Sequence, residues 1–562
     1  MMKLNEITTR QELATILGIP LKKLTYVLYH LHPNSLYKTF KIPKSNGDFR
    51  TIHAPSNELK EIQTSLASVL CTYSDNYKQE YHICSNIAHA FTKGKNIITN
   101  ASIHQNKRFV YNIDLKDYFE HFHFGRVRGF FHKNKHFSLP LDIATILAQL
   151  TCYNGTLPQG APTSPIITNL ICNILDMRII KIAKKYGLNY SRYADDMTFS
   201  TNRKDFITNY MLFHQELEKE ICIFGFEINP NKTRLLFTSS RQEVTGLTVN
   251  KKINISRTYY KLTRAMANSL YTTGEFQING TTGTIAQLEG RFSFIDQIDK
   301  YNNRIAVDIY HEKPHKPYTL NTHEKDYQKF LYYKYFFANT CPLIITEGKT
   351  DIIYLKAALK KYYSEYPSLI SKDDKGFHYK ITFLNRTKRL AYFLGIYTDG
   401  ADAMKNIYNI YCGEKQFPPL EQFFHDKTKK VQNHPVILIF DNEQISKKPL
   451  KEFLSHVKIN EPLQANKPRD IATNLFVSTI PLANGKVECE MEDLFNTDTL
   501  NHIINGKTFC KKDDLYNSKY YGKAIFANHI ASNYQSIDFS QFKPILDMLS
   551  DTISNYYKLL EP

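Results

Sequence analysis

Two adjacent aspartates, Asp195 and Asp196, lie in the stretch "YADDMTFS" (193–200), whose other residues favour a β-strand. Neighbouring carboxylates repel each other, so a strand that carries both needs a cation or a tight turn. A third carboxylate, Asp114, follows the strand-like "VYNI" in "YNIDLKDYF" (111–119). Three aspartates from two adjacent strands can hold two Mg²⁺ ions about 4 Å apart, one activating a 3′-hydroxyl and one neutralising a triphosphate. The spacing predicts polymerase chemistry, whereas Asp195 and Asp196 alone would fit an exposed hairpin tip.

A second set of carboxylates follows two apolar runs in the C-terminal half. "LIITEGKTDIIYLKAAL" reads as a strand, a turn and a helix, which puts Glu347 and Asp351 at the carboxyl end of the strand. "HPVILIFDNE" ends another strand with Asp441 and Glu443. Open α/β sheets bind ligands at the carboxyl ends of their strands, so these side chains predict one divalent-cation site. For Glu347 alone, a surface acid in a Gly-Lys turn is the alternative.

Composition restricts the partners. The chain has 562 residues, enough for three or four domains, and 42% hydrophobic with 22% charged residues indicates a globular protein. Lys and Arg exceed Asp and Glu by 72 − 54 = 18, which favours nucleic acid or an anionic membrane as partner. The apolar runs are too short to span a bilayer, and "MMKLNEITTRQEL" lacks a signal-peptide core, so we expect a cytoplasmic protein. Nine scattered cysteines without CxxC spacing indicate reduced thiols.

Local patterns place these motifs on elements. The first forty residues look helical, "FKIPKSNGDFRTIHAPS" reads as two strands around a turn, and "NELKEIQTSLASVL" as a helix. From about 110 to 250, strand-like and helical runs alternate. The segment 311–340 carries Pro314 and Pro317 without apolar periodicity and is predicted to be a linker. "PLIIT", "YKITFL", "HPVILIF" and "LFVSTI" then predict a parallel sheet in a second α/β domain, 341–562.

The N-terminal motifs resemble those of reverse transcriptases. "YADD" matches their signature hairpin, "LPQGAPTSP" (157–165) the segment against the incoming nucleotide, and "INPNKTR" the motif whose lysine lies near the leaving pyrophosphate. The resemblance implies Asp114, Asp195 and Asp196 as metal ligands and catalytic residues. It also implies nucleotide-binding residues. Lys44 and Arg50 would bind the triphosphate, Phe119 would exclude a ribose 2′-hydroxyl, and Gln159, Gly160 and Lys232 would be further contacts.

Two further motifs resemble those of retron reverse transcriptases. "NASIH" (100–104) matches Asn-Ala-x-x-His, and "VTGLTVN" (244–250) contains Val-Thr-Gly. The similarity spans about residues 10–310 and implies an enzyme that binds its own non-coding RNA, primes from the 2′-hydroxyl of a guanosine and makes a branched RNA–DNA. "KKINISRTYYKLTR" (251–264) interleaves cations with tyrosines, as RNA-binding surfaces do. The expected RNA-binding residues are Asn100, His104, Val244, Thr245, Gly246, Lys251, Arg257 and Arg264.

The C-terminal strand ends resemble the TOPRIM fold, in which one strand ends in Glu-Gly and another in Asp-x-Asp. The chain departs from that pattern by having Glu443 at the last position, which leaves open whether Glu443 fully replaces the usual aspartate. "VECEMEDLF" (487–495) resembles an acidic segment of TOPRIM nucleases and implies Glu490, Glu492 and Asp493 as further ligands, with Lys523 in "YGKAIF" as a phosphate contact. Glu347 would be catalytic there.

Together these resemblances predict a multidomain α/β and α+β protein. Fingers and palm with N-terminal helices occupy 1–250, an RNA-binding thumb 251–310, a linker 311–340 and a TOPRIM nuclease-like domain 341–562. The implied cofactors are two Mg²⁺ ions in the polymerase and one or two in the TOPRIM domain.

The implied partners of this arrangement are nucleic acids. They are the cognate RNA and its branched DNA product, deoxynucleoside triphosphates, and host or phage DNA or RNA such as tRNA as nuclease substrate. No membrane partner is expected. A homo-oligomer that assembles with the RNA–DNA is compatible with this arrangement. The resemblance further implies an antiphage system whose product restrains the nuclease. A primase-like enzyme, and a mobile-element reverse transcriptase whose TOPRIM domain only binds nucleic acid, are the alternatives.

Overall fold

The chain forms two compact units, residues 1–256 and 257–562, each of which is described separately below. The computed structural model describes residues 3–43, 47–81, 86–310, 316–317, 319–397, 402–445, 449–465, 467–483, 485–511 and 519–561.

The first unit combines helices with an antiparallel sheet. Its helices are α1 (Arg10–Ile16), α2 (Leu21–Tyr26), α3 (Asn57–Glu80), α4 (Ile97–Ile103), α5 (Phe124–Lys133), α6 (Leu141–Thr151), α7 (Ser164–Lys185) and α8 (Phe206–Ile223). Its strands are β1 (Tyr37–Pro43), β2 (Phe49–Pro55), β3 (Phe109–Asp114), β4 (Asn189–Tyr193), β5 (Asp196–Thr201), β6 (Arg234–Phe237), β7 (Glu243–Val244) and β8 (Leu247–Thr248). The predicted N-terminal helices, the strand pair β1–β2 and the helix after it are confirmed.

A four-stranded antiparallel sheet in the order β4-β5-β3-β6 forms the centre of this unit. Strand β3 is buried on both faces, which its sequence "FVYNID" allows because only Asn112 and Asp114 are polar. Helix α7 is buried around much of its circumference, and α3 contributes Leu59, Ile62 and Leu66 at helical spacing to the same core. This packing fixes the end of β3, where Asp114 lies, against the turn between β4 and β5.

The second unit is also mixed α/β. Its helices are α9 (Arg257–Thr273), α10 (Ile285–Tyr310), α11 (Thr322–Tyr332), α12 (Lys349–Lys361), α13 (Lys388–Leu394), α14 (Asp402–Cys412), α15 (Leu420–Thr428), α16 (Pro449–His456), α17 (Thr497–Leu500), α18 (Lys523–Ser532) and α19 (Lys543–Leu560). Its strands are β9 (Gln277–Ile278), β10 (Thr281–Thr282), β11 (Leu343–Thr346), β12 (Ile370–Asp373), β13 (Gly376–Tyr379), β14 (Thr382–Phe383), β15 (Val436–Phe440), β16 (Arg469–Ala472), β17 (Leu475–Thr479), β18 (Thr508–Phe509) and β19 (Tyr520–Tyr521).

The predicted parallel sheet is confirmed. Strands β14, β11, β15 and β17 are parallel neighbours in that order, and β16 adds an antiparallel edge. Every residue of β11 and β15 is buried, as expected for strands covered by helices on both faces. Because β11 and β15 are adjacent and parallel, their carboxyl ends meet at one edge of the sheet.

The predicted linker differs from the structure. Within its described part, α11 begins at a capping box formed by Asn321 and Glu324, and it buries Tyr327, Phe330 and Leu331. The rings of Tyr327 and Phe330 stack on Phe292 of α10, with centroids 5.4 and 5.0 Å away. The charged start of the helix hid its apolar face in the sequence. Helices α9 and α10, which lie in the predicted thumb, belong to the same unit as the parallel sheet.

Candidate active site

Asp195 and Asp196 lie at the turn between β4 and β5. Tyr193 pairs with Asp196, so only Ala194 and Asp195 connect the strands, and Ala194 adopts a left-handed φ of 58°. Asp114 lies directly opposite Asp196 in the β3–β5 ladder, and the amide of Leu115 donates to the carbonyl of Asp195 at 3.1 Å. The structure therefore brings the three predicted carboxylates together. Asp195 and Asp196 lie at a tight turn, as expected for adjacent carboxylates that repel each other.

The loop "INPNKTR" supplies polar partners to Asp114. The Nζ of Lys232 lies 2.8 Å from Asp114 Oδ2, and Asn229 Nδ2 donates to Oδ1 at 3.0 Å. The backbone of the same loop is joined to β3, since Asn229 N donates to the carbonyl of Asp114 at 2.8 Å. Lys232 was predicted near this site from its motif, whereas the contribution of Asn229 was not predicted.

The carboxylates perturb one another. Loss of surrounding water, together with the charges of Asp195 and Asp114, raises the pKa of Asp196 to about 7. Loss of water and the charge of Asp114 also raise the pKa of Asp195, while Lys232 and Arg50 act in the opposite direction. A cluster that resists full ionisation is ready to accept a cation, because a bound cation removes the repulsion.

The strand pair β1–β2 is fastened to the segment "LPQG". The amide of His53 donates to the carbonyl of Gln159 at 2.8 Å. At Gly160, where φ is 117°, an added Cβ would lie 2.8 Å from Ile52 Cγ2 and 2.9 Å from the His53 carbonyl oxygen. Only glycine fits this close approach. The contact holds β2, and with it the exposed Arg50, against the segment that contains Gln159.

Phe119 and Lys44 are the remaining residues predicted to contact the nucleotide. Phe119 lies in the short 3₁₀ helix Tyr118–His121, half-buried and edge-on to Tyr118 at 5.3 Å. Lys44 lies outside the described residues.

A cleft of about 530 Å³ opens beside Asp114 and Asp196. Its wall includes Lys232 and the turn of the β7–β8 hairpin, Thr245 and Gly246. Both turn residues have positive φ, 46° and 81°, and the buried Oγ1 of Thr245 has no hydrogen-bond partner. The Val-Thr-Gly motif thus forms a tight turn that faces the same space as two of the aspartates. The rest of the lining was not predicted: Asn112, Ile113, Thr198, Arg234, Leu236, Arg241 and Glu243.

Asn100 and His104 were predicted to bind RNA, but in the structure both side chains are fully buried. His104 donates to or accepts from Ser200 Oγ and Ser191 Oγ, each at 2.7 Å, and Ser191 Oγ donates to Asn100 Oδ1 at 2.6 Å. Burial lowers the pKa of His104 to about 3, so the ring is neutral. This network ties α4 to β4 and β5 behind the aspartate turn. Val244 is also buried, and its side chain cannot touch RNA.

The basic residues predicted to bind RNA are exposed. Lys251 lies in the first unit, and Arg257 and Arg264 lie on α9 of the second. Arg264 is engaged within its own unit, since its Nε lies 3.0 Å from Asp326 Oδ2, which also accepts from Tyr260 at 2.6 Å.

An arginine within the strand before the aspartates was missed by sequence reasoning. Arg192 is fully buried and forms a bidentate ion pair with Asp176 of α7, through Nε and Nη2 at 2.9 and 2.8 Å. Its Nη1 donates to the carbonyl of Ala194 at 3.2 Å. The only sequence signal was a charge inside the strand-like stretch "NYSRY".

A second carboxylate cluster lies at the carboxyl ends of β11 and β15. The amide of Gly348 donates to Asp351 Oδ2 at 2.8 Å, and the amide of Asp441 donates to the Glu347 carboxylate. Oε2 of Glu347 is buried without a hydrogen-bond partner. Glu443 is buried and close enough for its charge to act on Glu347. The four carboxylates predicted at the two strand ends therefore converge.

The acidic segment 487–495 joins this cluster. Asn442 and Cys489 exchange backbone hydrogen bonds of 2.9 and 3.1 Å, and Met491 N donates to Asp441 Oδ1 at 2.9 Å. Lys523 of α18 lies 3.2 Å from Glu490 Oε2 and 3.1 Å from Glu492 Oε2. Three more predicted residues thus lie here. Asp493, by contrast, forms ion pairs with two other lysines, Lys486 at 2.5 Å and Lys511.

Burial and mutual repulsion raise the pKa values in the second cluster. Burial and the charge of Glu492 raise the pKa of Asp351 to about 7. Burial, Asp351 and Glu347 raise the pKa of Asp441 well above its usual range, and burial and Glu443 raise that of Glu347. These carboxylates are costly to keep ionised without a cation.

Both clusters offer the oxygen ligands that Mg²⁺ prefers. Across the described part of the chain, no three His, Cys, Asp or Glu side chains are spaced as ready-made ligands of one ion. In the first cluster the ammonium of Lys232 already takes a cation's position on Asp114. In the second, the unpaired Oε2 of Glu347 fits a missing cation. The donor types of both clusters fit Mg²⁺.

Within the described residues, no helix is long and apolar enough to cross a membrane.

Comparison with known proteins matches the first unit. The family described as "Reverse transcriptase (RNA-dependent DNA polymerase)" matches residues 42–249. The retron Ec86 reverse transcriptase of Escherichia coli is 34% identical over 289 residues, covering 51% of this chain and 83% of that protein. The Mx65 and Mx162 retron reverse transcriptases of Myxococcus xanthus are 30% and 31% identical, covering 52% and 54% of this chain and 68% and 66% of their own lengths.

These matches concern about half of the chain. The chain belongs to the retron reverse transcriptase family, whose members are RNA-directed DNA polymerases.

Proposed function

We propose that the first unit copies part of a cognate non-coding RNA into DNA, starting from a 2′-hydroxyl of that RNA and leaving a branched RNA–DNA. The observation that carries this proposal is the cleft of about 530 Å³ in which Asp114 and Asp196 face the Thr245–Gly246 turn. A priming ribose held by that turn would lie next to the carboxylates. The partners are then the cognate RNA, deoxynucleoside triphosphates and the branched product.

Asp114, Asp195 and Asp196 would hold the Mg²⁺ ions of this site. When bound, such ions lower the pKa of the attacking hydroxyl and neutralise the triphosphate. Lys232, 60% exposed and linked to Asp114, can swing to the leaving pyrophosphate once a cation takes its place. Arg50 would grip the triphosphate from β2, against which Gln159 and Gly160 are fastened. Phe119 would exclude a ribose 2′-hydroxyl.

The double variant Asp195→Ala/Asp196→Ala tests this assignment. It should abolish branched DNA in cells and primer extension in vitro, while binding of the cognate RNA stays within about twofold, because the carboxylates repel phosphates rather than bind them. Asp142→Ala, which removes an exposed carboxylate from α6, is the matched control and should synthesise normally. Undiminished synthesis by the double variant would contradict the proposal.

The second unit, we propose, is a TOPRIM-like metal-dependent nuclease that acts as the effector of an antiphage system. Its support is the convergence of four separated segments on one buried cluster: Glu347 with Asp351, Asp441 with Glu443, Glu490 with Glu492, and Lys523. Glu347 and Asp441 would be the central ligands of the cation, and Lys523 would face a substrate phosphate. The branched product would restrain this activity until infection disturbs it.

Glu347→Ala and Asp441→Ala, singly and together, separate the two activities. Branched DNA should form at near-normal levels, whereas toxicity and phage protection should be lost. Asp374→Ala, at an exposed acid of the same unit, is the control and should keep all three properties. Protection that survives the double variant would mean that this unit is not the effector. Loss of branched DNA synthesis in that variant would argue against separate sites.

A further inference from the structure

A basic groove on the first unit lies apart from the catalytic cleft. It has a volume of about 910 Å³ and runs between α5 with its flanking residues, α7 and the end of α8. The groove and the catalytic cleft share no lining residue in the described part of the chain. The nucleotides that lie in this groove are therefore different from those that lie at the aspartates.

The groove is cationic. Its lining contains Arg126, Lys133, Lys135 and Arg178, together with two histidines, against the single carboxylate of Glu120. Lys133, Lys135 and Arg178 are exposed, and among the residues that the structure describes only Arg178 of these three approaches an acid, at 3.6 Å from Glu220. Such an excess of cations attracts a polyanion, and it disfavours binding of a protein surface that carries few acidic residues.

Arg126 gives the groove a fixed cation. Its guanidinium lies over the rings of Phe224 and Phe226, 4.4 and 4.9 Å from their centroids. It also donates to the carbonyls of His121 and Phe224, at 3.2 and 2.8 Å. Because these contacts hold the group before any ligand arrives, little side-chain entropy would be lost when it binds a phosphate.

The floor of the groove is apolar. Ile174 and Ile223 are 39% and 59% exposed, and both line it beside Phe224. Cationic walls with apolar and aromatic contact area are the combination that binds nucleic-acid backbone and unstacked bases together.

We propose that this groove binds a segment of the cognate RNA other than the segment being copied. The inference rests on the proposed function of the first unit, since it assumes that the chain has its own RNA. The groove would hold the RNA on the protein while the copied part moves through the catalytic cleft. Its contribution would be affinity for the RNA, not chemistry.

The triple variant Lys133→Glu/Lys135→Glu/Arg178→Glu tests the groove without touching Arg126 or the aspartates. The matched control is Lys22→Glu/Lys60→Glu/Lys204→Glu, which makes the same change in net charge at exposed lysines of the same unit outside both cavities. Binding of the cognate RNA is measured between 50 and 300 mM salt, with DNA of the same sequence as a competitor. Extension of an unrelated annealed primer is measured in parallel.

We expect the groove variant to bind the RNA at least tenfold more weakly than the control at 150 mM salt. The slope of log affinity against log salt should be shallower by about 2, from about 0.7 per lost phosphate contact. Primer extension should be unchanged in both variants. Equal RNA affinity and slope in the two variants would overturn the proposal, as would a change in oligomeric state confined to the groove variant, which would indicate a protein partner.

DNA of the same sequence that competes as well as the RNA would also overturn it. Failure of the proposed function looks different: in that case the wild-type protein itself would not prefer the cognate RNA to an unrelated RNA.

Discussion

Replacing Arg192 by methionine is expected to destabilise the first unit and to slow DNA synthesis. The guanidinium is fully buried and is bonded to the equally buried Asp176. It also donates to the carbonyl of Ala194, the residue with left-handed φ in the aspartate turn, and approaches the hydroxyl of Tyr118 at 3.4 Å. One side chain therefore connects α7, the turn that carries Asp195 and the neighbour of Phe119.

The magnitude follows from what the substitution leaves behind. Methionine fills much of the volume, but Asp176 would stay buried, and among the described residues only the hydroxyl of Tyr190 would still donate to it, at 2.8 Å. Breaking a buried ion pair on one side costs about 3–5 kcal/mol. For a unit of this size each kcal/mol lowers the midpoint by about 2–4 °C, so the unfolding transition of the first unit should fall by about 10 °C.

A double variant separates folding from positioning. Arg192→Met/Asp176→Leu removes both charges, so it should recover at least half of the lost free energy of unfolding. Its kcat for extension of an annealed primer should nevertheless stay at least about tenfold below that of the wild type. The reason is that the carbonyl of Ala194 has lost its donor, so the carboxylate of Asp195 is no longer held in a fixed position. The assays are thermal unfolding and single-nucleotide extension, with KM measured beside kcat. A double variant that is stable and has wild-type kcat would refute the positioning role of Arg192. A loss of less than about 1 kcal/mol in the free energy of unfolding of Arg192→Met would refute the energy assigned to the ion pair.

Three further outcomes are expected. Gly160→Ala should lower both the thermal midpoint of the first unit and the rate of primer extension, because the added Cβ would press on Ile52 and the His53 carbonyl. The expected loss in the free energy of unfolding is about 1–3 kcal/mol, and a variant with unchanged stability would contradict this close contact. Because the folded state raises the pKa of Asp441, the stability of the second unit without divalent cations should fall as pH rises above about 4. The second unit of Asp441→Asn should therefore melt higher than that of the wild type at pH 7.5 in EDTA, should match it near pH 4, and should be stabilised less by Mg²⁺; a lower midpoint at pH 7.5 would count against this. With the pKa of Asp196 at about 7, Mg²⁺ binding to the first cluster at pH 6 should release a proton, and the affinity should rise about fivefold by pH 7. Calorimetry in two buffers of different ionisation heat measures the release, and its absence would rule out this assignment.

The carboxylates could be predicted from the sequence because their constraints are local. An acidic pair in a strand needs a two-residue turn, and an acid after a buried strand lies at the edge of the sheet. Asp114, Asp196, Glu347 and Asp441 lie where these rules put them. The parallel order of β11 and β15 followed in the same way from two short apolar runs separated by helical ones.

Interactions between distant segments were not predictable. Asn100 and His104 carry polar groups that suit RNA equally well, and only the packing of α4 on β4 and β5 shows that Ser191 and Ser200 bind them instead. Arg192 has its partner sixteen residues earlier on another element, so its spacing gives no local signal. Helix α11 was hidden for a different reason: its apolar face becomes visible only against α10.

The two clusters use lysine differently, and exposure explains how. Lys232 is 60% exposed and bonds Asp114 from a loop, so a cation can displace it at little cost. Lys523 is 32% exposed and bonds Glu492, which is 1% exposed, so displacing it would leave a buried carboxylate unpaired. On the proposed function of the first unit, Lys232 would leave Asp114 when the cation binds. On the proposed function of the second unit, Lys523 would stay paired with Glu492, and Glu347, with its unpaired oxygen, and Asp441 would be the positions where a cation gains most.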